Sequence, residues 1–83
     1  MNSSSLTPVY KTSDTATAAY LCCCNFKLIR MESDPNNRTV FIFENSSEAL
    51  EQAVHDFEIG AAVGNITSFF RQYRRLLREV RER

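Results

Sequence analysis

The sequence predicts a small single-domain α+β fold of order αββαα, a β-hairpin packed against helices. Two patterns carry that prediction. From Ile66 to Arg83, apolar residues recur at Ile66, Phe69, Phe70, Tyr73, Leu76, Leu77 and Val80, the steps of three and four that mark a one-sided α-helix. At Thr39-Val40-Phe41-Ile42-Phe43 the chain is almost wholly β-branched or aromatic, which suits a strand. A length of 83 residues admits one domain. The apolar share of 43% supplies a core, and two Gly with two Pro rule out a disordered or fibrous composition.

Residues 1–9 are Ser-rich, contain Pro8 and show no periodicity. They are expected to be a flexible tail ahead of a domain at 10–83. Lys11 to Cys24 reads as the first helix. Thr12 or Ser13 can cap its start, and Asp14 then falls in the first turn, where the helix dipole favours an acid. Ala16, Ala19, Tyr20 and Cys23 share one face, and the small Ala16, Ala18 and Ala19 allow close approach of another element. Asn25 is a plausible stop, because Asn tolerates the left-handed conformation.

Phe26 to Glu32 and Thr39 to Glu44 read as antiparallel strands joined by the turn cluster Asp34-Pro35-Asn36-Asn37. Phe41 and Phe43 point to one face, Val40 and Ile42 to the other. A two-stranded ribbon cannot bury two apolar faces alone. Helices are expected on one side, and Val40 and Ile42 become a candidate dimer face.

Ser46 to Ile59 reads as the second helix, with an Asn45–Glu48 capping box and a buried face of Leu50, Ala53, Val54 and Phe57. Gly60 fits its C-terminal cap, and Asn65 can cap the final helix.

Formal net charge is zero, yet its distribution is uneven. Glu32, Asp34, Glu44, Glu48, Glu51, Asp56 and Glu58 make an acidic middle, while Arg71, Arg74, Arg75, Arg78, Arg81 and Arg83 make a basic end. The two could meet within a chain or across a dimer, or the basic end could serve an acidic partner. Arg71, Arg74, Arg75 and Arg78 are the candidate contacts for a protein or for nucleic acid. Adjacent like charges oppose a helix by a few tenths of a kcal/mol per pair, and guanidinium groups suit phosphate and carboxylate. Against a nucleic-acid role stand the neutral total and the lack of a groove-reading motif. Tyr20, Phe69, Phe70 and Tyr73 could stack bases, but their spacing is that of a core.

No residues point to catalysis, a cofactor or a small-molecule substrate. Cys22, Cys23 and Cys24 are adjacent and odd in number, a poor disulfide framework, and they lack both zinc-site and Cys-x-x-Cys spacing. Reduced thiols in a cytosol are the simplest reading. His55, between Glu51 and Glu58, reads as a surface histidine beside acids. No secretory signal or membrane-spanning stretch is evident, so a cytoplasmic setting is expected.

Tyr10-Lys11-Thr12-Ser13-Asp14, then Ala18-Ala19-Tyr20-Leu21, then Phe41-Ile42-Phe43, and last Phe69-Phe70-Arg71-Gln72-Tyr73-Arg74-Arg75-Leu76 form a recurring pattern. It resembles a small bacterial and phage domain family catalogued only as of unknown function, with the likeness running from Tyr10 on. Asn25 departs from it, standing where a Gly is expected. The resemblance implies a bacterial or mobile-element cytosolic origin and brings no activity or site residues. The resulting expectation is a non-enzymatic interaction module, acting as a homodimer or on a protein partner. The alternatives are a small nucleic-acid-binding protein and a phage-borne inhibitor of a host protein.

Overall fold

The computed structural model describes residues 8–45 and 48–81. The expected α+β class is present, with one strand more than the sequence suggests. The order is β1 (Val9–Thr12), α1 (Thr15–Cys23), β2 (Leu28–Ser33), β3 (Thr39–Glu44), α2 (Glu48–Glu58) and α3 (Ile66–Arg81). The sheet runs β1-β3-β2, antiparallel throughout.

The extra strand corrects the tail and the start of the first helix. Val9 belongs to β1 rather than to the tail expected over 1–9, whose residues 1–7 lie outside the described residues. Tyr10 to Thr12 pair with Phe43 to Phe41, and the Asn45 amide donates to the Pro8 carbonyl at 3.0 Å. The chain is therefore extended through Thr12 and turns helical only afterwards. Asp14, not Thr12 or Ser13, becomes the cap. Its carboxylate accepts from the Ala16 amide at 3.3 Å and from the Thr17 hydroxyl at 2.6 Å, satisfying donors that a helix start leaves open. Thr12 serves the preceding turn, accepting the Asp14 amide on its hydroxyl oxygen.

β1 also resolves the problem of the two apolar faces. β3 is the central strand, so its near-continuous apolar run is what a doubly covered strand needs. Phe41 and Phe43 face the helices and join the core. Ile42, on the opposite face, lies level with Lys11 of β1 and Arg30 of β2 and is 0% exposed. The candidate dimer face thus shrinks: Ile42 offers no surface and Val40 is only half-buried. Lys and Arg stems can cover apolar surface while their charges stay wet, and Arg30 also binds Glu32 at 2.6 Å on this face.

Both connections after helices end in the same way. Asn25 has φ 69° and Gly60 has φ 79°. Around Asn25, the Phe26 amide donates to the Leu21 carbonyl and the Asn25 amide to Cys22. Around Gly60, Ala61 donates to Asp56 and Gly60 to Phe57. These paired bonds are the Schellman closure, which satisfies the last carbonyls of a helix. In the hairpin, Asp34 closes the turn by accepting the Asn36 and Arg38 amides at 2.9 and 2.8 Å. Asn37 takes the left-handed conformation there.

The core sits where the helices meet the Phe41/Phe43 face. Ala18, Ala19, Leu21, Leu50, Val54 and Leu76 are buried there. The face expected on the first helix is incomplete, since Ala18 and Leu21 are fully buried too. A helix packed against α3, α2 and β1 is covered on more than one side. On α2, Leu50 and Val54 are buried and Ala53 and Phe57 half-buried, as expected. The expected start at Ser46 lies outside the described residues, and the Asn45 side-chain amide donates to Glu51 at 3.1 Å.

Replacing Asn25 by Gly should leave stability unchanged or raise it, whereas Asn25→Val should lose about 1–2 kcal/mol through the left-handed strain; urea denaturation measures both. Leu76→Ala, at a site with no exposed surface, should cost about 2–5 kcal/mol on the same assay.

Candidate interaction surface on the third helix

α3 begins where Asn65 caps it: the Ser68 amide donates to the Asn65 side-chain oxygen at 2.9 Å, as the sequence predicts. Phe69, Tyr73, Leu76 and Val80 turn to the core. The apolar stripe is narrower than expected, because Ile66 is 72% and Phe70 49% exposed. At 3.6 residues per turn, the core-facing four define one edge of the helix. Arg71, Arg74 and Arg78 then fall on the opposite side, with Phe70 and Arg81 on its flank, and all are exposed.

The four candidate arginines do not behave alike. Arg71, Arg74 and Arg78 lie on the outer face and line a shallow groove with Thr67 and Phe70. Arg74 and Arg78 also border a second groove with Leu77 and Arg81. Among the described residues none of Arg71, Arg74, Arg78 or Arg81 has an ion-pair partner. Arg75 points elsewhere. Its guanidinium lies 3.9 Å from Glu79 and 3.8 Å from the Cys22 sulfur, so it serves the α1–α3 contact. Arg83, the last of the basic end, lies outside the described residues.

The aromatic residues also divide. Tyr20 stacks on Phe57 with centroids 5.0 Å apart, Phe57 meets Phe69 at 6.2 Å, and Phe69 stacks on Tyr73 at 6.0 Å. This row ties the three helices together, as the packing reading of Tyr20, Phe69 and Tyr73 requires. Phe70 branches off this row, 5.9 Å from Phe69 in an edge-to-face contact. Its outward direction was not readable from spacing, since it lies one position from the core-facing Phe69.

The cysteine triplet is split by the helix. All three thiols are free and half-buried. Cys23 and Cys24 line an open groove of about 270 Å³ with Tyr20, Val63, Ile66 and Phe69. The Tyr20 hydroxyl is pushed up in pKa chiefly by its hydrogen bond to Cys24. Cys22 faces Arg75. Burial pushes the Cys22 thiol up, and the Arg75 charge pulls it part of the way back. His55 is exposed on α2. Among the described residues no three His, Cys, Asp or Glu side chains are grouped to hold a metal ion. Nor is any helix among them long and apolar enough to cross a membrane.

The fold and its surface define a small α+β domain, among the described residues three helices on a three-stranded antiparallel sheet, with an arginine-rich outer helix. The chain belongs to the family described as a domain of unknown function (DUF5659), whose pattern matches residues 8–81. No curated protein and no solved structure matches it.

The Cys22 geometry yields a signed expectation. Burial disfavours the thiolate and a nearby cation favours it. In a chain carrying Cys23→Ser and Cys24→Ser, the pH midpoint for alkylation of Cys22 should lie above that of an ordinary thiol. Arg75→Ala should move the midpoint higher still and slow alkylation at pH values below it; a downward move would contradict the contact.

Proposed function

We propose that this chain is a non-enzymatic binding module whose working surface is the outer face of α3. Arg71, Arg74, Arg78 and Arg81 would engage an acidic protein surface, with Phe70 supplying apolar contact. The observation that carries this reading is the set of four exposed guanidinium groups with no ion-pair partner among the described residues. Like charges placed three and four residues apart oppose the helix that bears them. A partner's carboxylates turn that opposition into attraction, and arginine can meet each carboxylate through two hydrogen bonds. Exposed Phe70 adds the kind of side chain that anchors interfaces.

A second reading, nucleic-acid binding, is favoured by the same Phe70 lying among Arg71 and Arg74, since an aromatic ring beside cations suits unpaired bases. A bacterial or phage cytosol is the setting we propose for either activity. There a phage-borne copy would act by masking an acidic host surface, and capture of a stable host protein on the immobilised chain supports that role.

The test compares polyglutamate and a single-stranded oligonucleotide as probes of the full chain. The expected outcome is retention of polyglutamate at about 50 mM salt and release by about 500 mM, as screening shortens the reach of charge. Arg71→Glu combined with Arg78→Glu should weaken retention more than tenfold, while Arg75→Ala should change it little. Retention of the oligonucleotide instead, with the salt slope falling by about one for each phosphate-contacting arginine removed, moves the assignment to nucleic acid. Retention of neither probe by a chain that sediments as a monomer defeats both readings.

A further inference from the structure

We infer that the acidic partner of α3 is a second copy of this chain, docking through its own α2; the inference rests on the reading of α3 proposed above. The chain carries both halves of such a contact. Along α2, Glu48, Glu51, His55 and Glu58 are exposed at steps of three and four, which place them on one strip. Along α3, Arg71, Arg74, Arg78 and Arg81 form the opposite strip. The intervals Glu48 to Glu58 and Arg71 to Arg81 are equal in residues, and each covers about 15 Å of helix.

The two strips do not satisfy each other within one chain. Among the described residues the ion pairs are Arg30–Glu32 and Arg75–Glu79, so no α2 carboxylate is paired with an α3 arginine. Set antiparallel, α2 of one copy against α3 of the other brings Glu48 level with Arg81 and Glu58 level with Arg71. A two-fold axis repeats the pairing and uses both strips of both copies.

The same arrangement accounts for the most exposed large apolar side chains among the described residues. Ile59, Val63, Ile66 and Phe70 are all exposed, and all lie where α2 ends and α3 begins. That junction falls near the two-fold axis, where it meets its own copy. The contact then has an apolar centre and charged flanks, the usual anatomy of a protein interface. A formally neutral chain adds no net repulsion to self-association. This places the dimer contact away from Val40 and Ile42.

Sedimentation of the full chain at micromolar concentration provides the test. Wild type should sediment at twice the chain mass at about 50 mM salt and shift toward monomer at about 500 mM. Arg71→Glu with Arg78→Glu should be monomeric, and so should Glu51→Arg with Glu58→Arg. An equimolar mixture of the two should recover the dimer, because each supplies the charge the other has reversed. All four positions are exposed, and circular dichroism checks that each variant remains folded. A monomeric wild type at low salt overturns the inference, as does a dimer that survives both reversals. A monomeric wild type that still retains polyglutamate or the oligonucleotide overturns self-association alone and leaves the α3 surface standing. A monomer that retains neither defeats both.

Discussion

The packing of α3 on α1 is the contact on which the rest of the molecule depends. α1 presents Ala18 and Ala19, with no surface left exposed, and such small side chains let a neighbouring element come close. Leu76, with Phe69, Tyr73 and Val80 beside it, is held against the core. The aromatic row from Tyr20 through Phe57 and Phe69 to Tyr73 fixes the same orientation from the other end. A rigid helix has only one rotational setting that buries those four residues together. In that setting Arg71, Arg74 and Arg78 must face water, with Arg81 on one flank and Arg75 on the other, where it reaches Cys22 and Glu79. The surface chemistry of α3 is thus a consequence of its core packing.

The sheet obeys a second constraint. β3 is apolar on both faces, and an apolar face exposed to water opposes folding. The helices cover Phe41 and Phe43. The other face is completed within the chain, by strands on either side whose Lys11 and Arg30 flank Ile42. Placing β3 in the middle also satisfies its backbone on both edges. The unmatched apolar surface lies instead at the α2–α3 junction, around Ile59, Val63 and Ile66, at the opposite end of α3 from Arg78 and Arg81.

Much of this architecture was legible because it is written in local rules. The Asp34–Asn37 turn, the left-handed Asn25 and Gly60, the Asn65 cap and the inward face of α2 each depend on residues within a few positions of one another. β1 was not legible for a definable reason. It is four residues long, it precedes a helix start with several competent caps, and its identity as a strand depends on pairing with β3, some thirty residues away. Thr12 and Ser13 are good caps in isolation, and only the extended Val9–Thr12 segment hands that role to Asp14. The same pairing covers Ile42, which alternation along β3 alone leaves as a candidate dimer residue.

For the arginine helix, the sequence by itself determined that one side would be apolar and the other cationic, because a 3.6-residue period sorts side chains without reference to any neighbour. It determined the α+β class and the helix ends at Asn25, Gly60 and Asn65 in the same way. Only the tertiary structure decided which residues at the margin of the stripe turn inward. Phe69 is drawn into the aromatic row and adjacent Phe70 is left outside, Arg75 is claimed by α1, and Ile42 is covered by a strand distant in sequence. Those outcomes follow from which surfaces meet across the fold, and no spacing along a single helix or strand records that.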